Sequence, residues 1–207
     1  MLTRRYDPVR IEAGCDEAGR GALAGPLFAA AVILPGDFPG EGVNDSKQLS
    51  AKKRAGLRLL IEREAIAWAV ARVDSGEIDR INVLNASILA MQRAVSMLPV
   101  RPGHLLVDGN RFSPVDGIDH HCIIKGDGIF LSIAAASILA KTHRDDYMSA
   151  LHEEFPLYDW ARNKGYPTRF HREQLRLHGP SPYHRKSFFL FDPRLEIPFP
   201  ARVPGEE

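Results

Sequence analysis

Ala13-Gly14-Cys15-Asp16-Glu17-Ala18-Gly19-Arg20-Gly21, with the apolar run Leu27 to Leu34 close behind it, organises the reading of this chain. Ile11 to Cys15 and Leu27 to Leu34 are rich in strand-forming residues. The glycine-rich turn between them predicts a hairpin with Asp16 at the end of its first strand. Adjacent carboxylates repel, desolvation makes that repulsion costly, and a bound divalent cation offsets it. Gly19-Arg20-Gly21 lets backbone come close to a ligand while one guanidinium reaches a phosphate. Carboxylates for a metal beside bare backbone and an arginine fit chemistry on a phosphodiester. Taken alone, the acidic dipeptide fits a β-turn with ordinary glycines equally well.

Beyond the hairpin, Pro35-Gly36 and Pro39-Gly40 break the chain, and Ser50 is a candidate N-cap for a helix from Ala51 to about Glu64. Leu57, Leu60 and Ile61 give that helix an apolar stripe, while Gly56 weakens it by about 1 kcal/mol. Ile66 to Val73 reads as a third strand. Leu84, Ile88, Met91, Val95 and Leu98 then recur at helical spacing up to Pro99. His104 to Asp108 is a short buried strand ending in an acid, followed by Gly109-Asn110. Cys122 to Ile124 is another strand, with Lys125-Gly126-Asp127 directly after it. Leu131 to Leu151 is helical, and Thr168 to His178 is a last helix closed by Gly179-Pro180. The order predicts an α/β fold, a mixed five-stranded sheet flanked by helices. Residues 1–207 read as one domain, with a helical C-terminal portion from about 155 and a Pro-rich tail from about 192.

Asp16-Glu17, Asp108 and Asp127 share a property: each lies at or just past the end of a predicted strand, beside a glycine. Ligand sites of α/β sheets collect at such ends, where converging acids suit hard cations such as Mg²⁺. Singly, Asp108 also fits a turn and Asp127 a helix N-cap.

Composition sets the remaining bounds. With 207 residues, 44% of them hydrophobic, the chain is long enough for one good core with or without a small appendage. A net charge of +1 conceals a local basic region: Arg162 to Ser187 holds seven Lys or Arg and one acid, Glu173. That suits the electrostatic part of nucleic-acid binding, and His171, His178 and His184 add donors. Tyr166, between Gly165 and Pro167, is placed to stack on a sugar or base; a solvated basic helix with a packed tyrosine fits too. Cys15 and Cys122 lack metal-ligand spacing and no signal peptide precedes them, so they read as reduced thiols of a cytosolic protein. No run reaches the length of a membrane span, and a monomer is the default expectation.

Taken together, these segments resemble bacterial ribonuclease HII, the type 2 ribonuclease H family. The resemblance rests on Asp16-Glu17-Ala18-Gly19-Arg20-Gly21 with Leu23-Ala24-Gly25-Pro26, and on Asp45-Ser46-Lys47-Gln48-Leu49-Ser50. Val107-Asp108-Gly109-Asn110, Lys125-Gly126-Asp127 and the run Ile133 to Lys141 follow. Lys164-Gly165-Tyr166-Pro167-Thr168 and His184-Arg185-Lys186-Ser187-Phe188 complete a series in family order over roughly residues 11–190. One departure is Thr142-His143, where the family commonly has valine and threonine; it bears on helix packing or on contacts at the substrate's edge.

The resemblance implies an RNase H-like fold and an endonuclease dependent on Mg²⁺ or Mn²⁺. Its partners would be RNA–DNA hybrids and duplex DNA carrying single ribonucleotides, cut on the ribonucleotide's 5′ side to leave a 3′-hydroxyl and a 5′-phosphate. Asp16, Glu17, Asp108 and Asp127 match the acidic catalytic metal site, Gly19, Arg20 and Gly21 the loop that reads the 2′-hydroxyl, and Tyr166 the tyrosine at the RNA–DNA junction. Asn44, Ser46 and Lys47 are expected phosphate contacts. Lys141, His184 and Arg185 join the expected substrate contacts, although Lys141 and Asp145, spaced i,i+4, also suit an intrahelical pair. A junction resolvase or transposase of the same fold has no use for a 2′-hydroxyl reader, and a binding module without catalysis has no need of four acids.

Overall fold

The computed structural model describes residues 2–44 and 46–191, and of Lys47 only the backbone. The elements are β1 (Glu12–Ala18), β2 (Leu27–Ile33), α1 (Ala51–Glu64), β3 (Ala67–Val73), α2 (Ser75–Ile81), α3 (Val83–Ser96), β4 (His104–Asp108), β5 (Asp119–Ile123), α4 (Leu131–Glu154), α5 (Trp160–Asn163) and α6 (Arg169–His178). Single 3₁₀ turns sit at Ser46–Gln48, Gly126–Gly128 and Pro156–Tyr158. The sheet order is β3-β2-β1-β4-β5; β1 runs antiparallel to β2 and parallel to β4. This is the mixed five-stranded sheet that the order of segments predicts. The Pro-rich tail and Asp45 lie outside the described residues.

Strand alternation explains which helix covers which face. On β1 and β2, Ala13, Cys15, Leu27, Ala29, Ala31 and Ile33 join Ala86, Ala90, Met91, Ala94 and Val95 of α3 in one core. The intervening Ala18, Ala30 and Val32 pack on the other face against Leu57 and Ile61 of α1 and the alanine-rich start of α4. Both faces of β2 are therefore buried along its whole length, which accounts for its unbroken apolar run. Gly14 points to the α4 side, where a Cβ would stand 2.5 Å from the Ser132 carbonyl oxygen and closer still to the Ser132 carbonyl carbon and the Ile133 nitrogen. The helix thus crosses β1 backbone against backbone, and only glycine permits it.

Helix α1 starts as its cap predicts, with the Ser50 side chain accepting from the Lys53 amide. Several boundaries differ from the sequence expectation. β1 continues through Asp16 and Glu17 to Ala18, because β2 supplies partners Ala30, Ala29 and Phe28 for those residues. β5 begins at Asp119, before the apolar Cys122 to Ile124 run, because the parallel ladder with β4 carries its polar half. α2 and α5 are short elements not anticipated from periodicity. The departure at Thr142-His143 concerns packing: the Thr142 hydroxyl donates to the Ile138 carbonyl, and His143 lies against Trp68 and 2.9 Å from Glu62.

A third core forms where the second half of α4 meets the C-terminal helices: Leu23, Ala24, Met148, Leu151, Tyr158, Trp160, Leu175 and Leu190. Leu23 and Ala24 belong to the loop between β1 and β2, so this core fixes the C-terminal helices against the glycine-rich turn. Gly165 and the turn touch directly, the Leu23 amide donating to the Gly165 carbonyl at 2.8 Å.

Candidate active site

The parallel register of β1 and β4 ends at Cys15 opposite Val107, so the next residues along both strands are Asp16 and Asp108. By parity they share the α4 face with Gly14 and Leu106, which brings two acids of different chain segments side by side. Asp16 is 4% exposed, and the Glu17 amide donates to its Oδ1 at 2.7 Å. Burial pushes the Asp16 carboxyl well above the usual range, and the like charges of Glu17 and Asp108 push it further; a Ser137 hydrogen bond and the Glu17 amide oppose this. Asp108 is half-buried and accepts from the Gly126 amide at 2.7 Å, which sets Asp127 one residue away in the Gly126–Gly128 turn. A side chain at Gly126 would run into Ile133, so α4 presses this turn toward Asp108. Asp127 is buried too, at 5% exposure.

The residues suit a hard divalent ion. A buried carboxyl whose ionisation is opposed by two neighbouring acids gains most from a cation. Among the described residues, no three His, Cys, Asp or Glu side chains converge as a ready-made cage. Carboxylate oxygens such as these fit a hard ion that keeps several of its waters, as Mg²⁺ does.

Beside the acids, Gly19 adopts φ +96° with the buried Arg144 side chain where a Cβ would lie. Gly21 faces open space, with nothing within 4 Å of where its Cβ would be. Arg20 is half-exposed, and its guanidinium stands 3.6 Å from Glu17. Tyr166 is half-buried, with Lys141 and Arg144 at 5.9 and 5.3 Å from its ring.

Three of the expected substrate contacts are buried and a fourth, Lys141, is half-buried. Arg185 is 0% exposed and gives its donors to the carbonyls of Arg20 and Gly25. His184 is buried: its Nδ1 accepts from the Ser181 amide, so its Nε2 donates to His171 Nε2, and His171 Nδ1 in turn donates to the Tyr166 carbonyl. Burial, with His171 close by, pushes His184 down to about 4. Ser46 is buried against Ser137, 2.9 Å between hydroxyls, and so reaches Asp16 at second hand. Lys141 forms the intrahelical pair with Asp145 at 2.5 Å. Arg185, His184 and Ser46 are buried with protein partners for these polar atoms, whereas Lys141 is half-buried and keeps donors beyond the one that Asp145 takes. Asn44 is half-buried near Gln48, and the Lys47 side chain lies outside the described residues. Ser137, within an apolar helical run, and Arg144 were not singled out from sequence; their only signal was a polar residue on a face that the alanines mark as buried.

The chain is similar to proteins of one family. A family model described as ribonuclease HII matches residues 13–190. The ribonuclease HII of Parabacteroides distasonis is 63% identical over 199 residues, covering 96% of this chain and 100% of that protein. That of Bacteroides fragilis is 64% identical over 198 residues, covering 95% and 98%. The crystal structure of the ribonuclease H2 from Pyrococcus horikoshii has a TM-score of 0.71 at 25% identity, covering 86% of this chain and 94% of that one.

Proposed function

The chain belongs to the ribonuclease HII family, and we propose that Asp16, Glu17, Asp108 and Asp127 are the acids that hold its divalent metal and carry its chemistry. The activity is that of a metal-dependent endoribonuclease acting on RNA–DNA hybrids. The observation that carries the site assignment is the closeness of Asp16 to Asp108, the residues that follow the last partners of the β1–β4 register.

A bound divalent ion supplies Lewis-acid stabilisation of the charge that develops on the scissile phosphate and makes a water more nucleophilic. The protein supplies placement. Asp16 and Asp108 project from a rigid sheet, Asp127 from a turn anchored on Asp108, and Glu17 from the same strand toward Arg20. Mg²⁺ and Mn²⁺ both fit oxygen ligands of this kind. Exposed Gly21, whose N–H makes no backbone hydrogen bond among the described residues, lies where the 2′-hydroxyl, the group that separates RNA from DNA, would be met, with Tyr166 bounding the junction. The exposed Arg162, Arg169, Arg176 and Lys186 hold the duplex through its phosphates. The preferred substrates are hybrids and duplex DNA with a single ribonucleotide, cut 5′ to it to leave a 3′-hydroxyl and a 5′-phosphate. The free Cys15 and Cys122 support a cytosolic reading, with the enzyme acting as a monomer. Among the described residues no helix is long and apolar enough to cross a membrane.

End-labelled duplex DNA with one ribonucleotide, incubated with Mg²⁺, Mn²⁺ or EDTA beside an all-DNA control, tests this. Metal-dependent cleavage 5′ to the ribonucleotide alone is expected. Cutting of the all-DNA duplex, or binding without cleavage under either metal, would overturn it.

A further inference from the structure

Arg144 and Arg185 are both 0% exposed with no carboxylate salt bridge among the described residues, which is rare for arginine. Their hydrogen bonds run to backbone carbonyls. Arg144 donates from Nε to Pro26, from Nη2 to Ala24 and from Nη1 to Lys164, at 3.0, 3.2 and 2.9 Å. Arg185 donates from Nε and Nη2 to Gly25 and from Nη1 to Arg20, at 3.0, 2.9 and 3.0 Å. The two charges repel: burial first, then Arg144, hold Arg185 down to about 9. Two buried like charges are a costly way to staple a loop, so the carbonyl positions they set need a reason.

Peptide planarity supplies one. In a trans peptide the C=O and the following N–H point in opposite directions. A guanidinium that draws the Arg20 carbonyl inward therefore turns the Gly21 N–H the opposite way, and Gly21 is itself an exposed residue. Among the described residues, no backbone hydrogen bond takes up that N–H. Arg144 ties the same loop to Lys164, two residues before Tyr166, and lies 5.3 Å from the Tyr166 ring. We infer that Arg185 is a positioning residue for ribonucleotide recognition, aiming the Gly21 amide at the substrate, and that Arg144 fixes the spacing between that amide and Tyr166. This rests on the reading that the glycine loop meets the 2′-hydroxyl.

The readout is the ratio of dissociation constants for all-DNA duplex and duplex carrying one ribonucleotide, measured by anisotropy with Ca²⁺ replacing Mg²⁺. A merely structural defect lowers the active fraction and leaves this ratio unchanged. Arg185→Lys keeps the charge but loses the planar fork, and should lower the ratio about tenfold with all-DNA affinity intact. Gly21→Ala tests the underlying reading, since its Cβ meets no protein atom. If Gly21→Ala lowers the ratio and Arg185→Lys does not, the positioning role is overturned while the loop reading stands. If Gly21→Ala also leaves the ratio unchanged, the loop reading fails and the proposal with it. Should Arg185→Lys not fold, the Gly21 amide of the wild-type protein decides by NMR. It should exchange rapidly in the free protein and shift on titration with the ribonucleotide duplex; an amide protected when free, or unmoved on binding, overturns the proposal.

Discussion

Gly14→Ala should damage this enzyme more than the size of one methyl group suggests. The new Cβ would stand 2.5 Å from the Ser132 carbonyl oxygen, and the two nearer atoms, the Ser132 carbonyl carbon and the Ile133 nitrogen, are also backbone. Ordinary carbon contacts lie near 3.5–4 Å, so α4 must move off β1 by roughly 1 Å. No side-chain rotation relieves the overlap, because every atom involved is main chain. Overpacking of this kind costs about 3 kcal/mol, the upper end of its usual range. For a chain of 207 residues that is a fall of about 6–12 °C in Tm, read by calorimetry. Activity should fall too, because the same helix carries Ser137 to Asp16. Gly56→Ala is the internal control: this glycine is exposed within α1 and has nothing within 4 Å of its Cβ position. There the identical substitution should raise stability by about 1 kcal/mol. A Gly14→Ala protein with Tm unchanged would refute the backbone-on-backbone crossing, and with it the way α4 frames the acids.

Acid should loosen the C-terminal core through its histidines. His184 and His171 are held below their ordinary value chiefly by burial, so the unfolded chain takes up protons first as pH falls. Their stability contribution is intact above about 6.5 and is lost toward pH 4, at about 1.4 kcal/mol per pH unit for each proton taken up. Urea midpoints at pH 7 and 5 should show this slope, and His184→Asn should reduce it; an equal slope in the variant would contradict the relay. Tyr166→Ala should weaken cleavage at RNA–DNA junctions more than cleavage within long hybrids, with metal affinity unchanged; equal losses on both substrates would count against the junction role.

The parts of the fold that were legible from sequence are those where one physical signal dominates. Ser50 announces α1, the apolar run 27–34 announces a strand buried on both faces, and the acids beside glycines mark one end of the sheet. What was not legible depends on tertiary partners. Asp16 looked like the end of a strand because the apolar pattern stops there, yet the ladder continues to Ala18 since β2 reaches that far. α2 escaped notice because only Ile78 and Ile81 mark it as amphipathic. The basic C-terminal region read as a face for nucleic acid with Arg185 among its substrate contacts, but Arg185 turns inward, where the carbonyls of Arg20 and Gly25 accept its donors. Strand parity, which sets Asp16 beside Asp108, needs the parallel register, and no local pattern encodes which strands adjoin.

The central claim is that Asp16 belongs to a metal-holding acidic set. Single-turnover cleavage of an RNA–DNA hybrid by wild type and Asp16→Asn across a Mn²⁺ series tests it most directly, with Tm recorded for both. Asparagine removes a buried like charge, so the variant should be at least as stable without metal. The account predicts no wild-type cleavage in EDTA, and a loss of about 10³-fold or more in Asp16→Asn at saturating Mn²⁺. A folded Asp16→Asn enzyme cleaving within about tenfold of wild type, or wild-type cleavage that persists in EDTA, would contradict it.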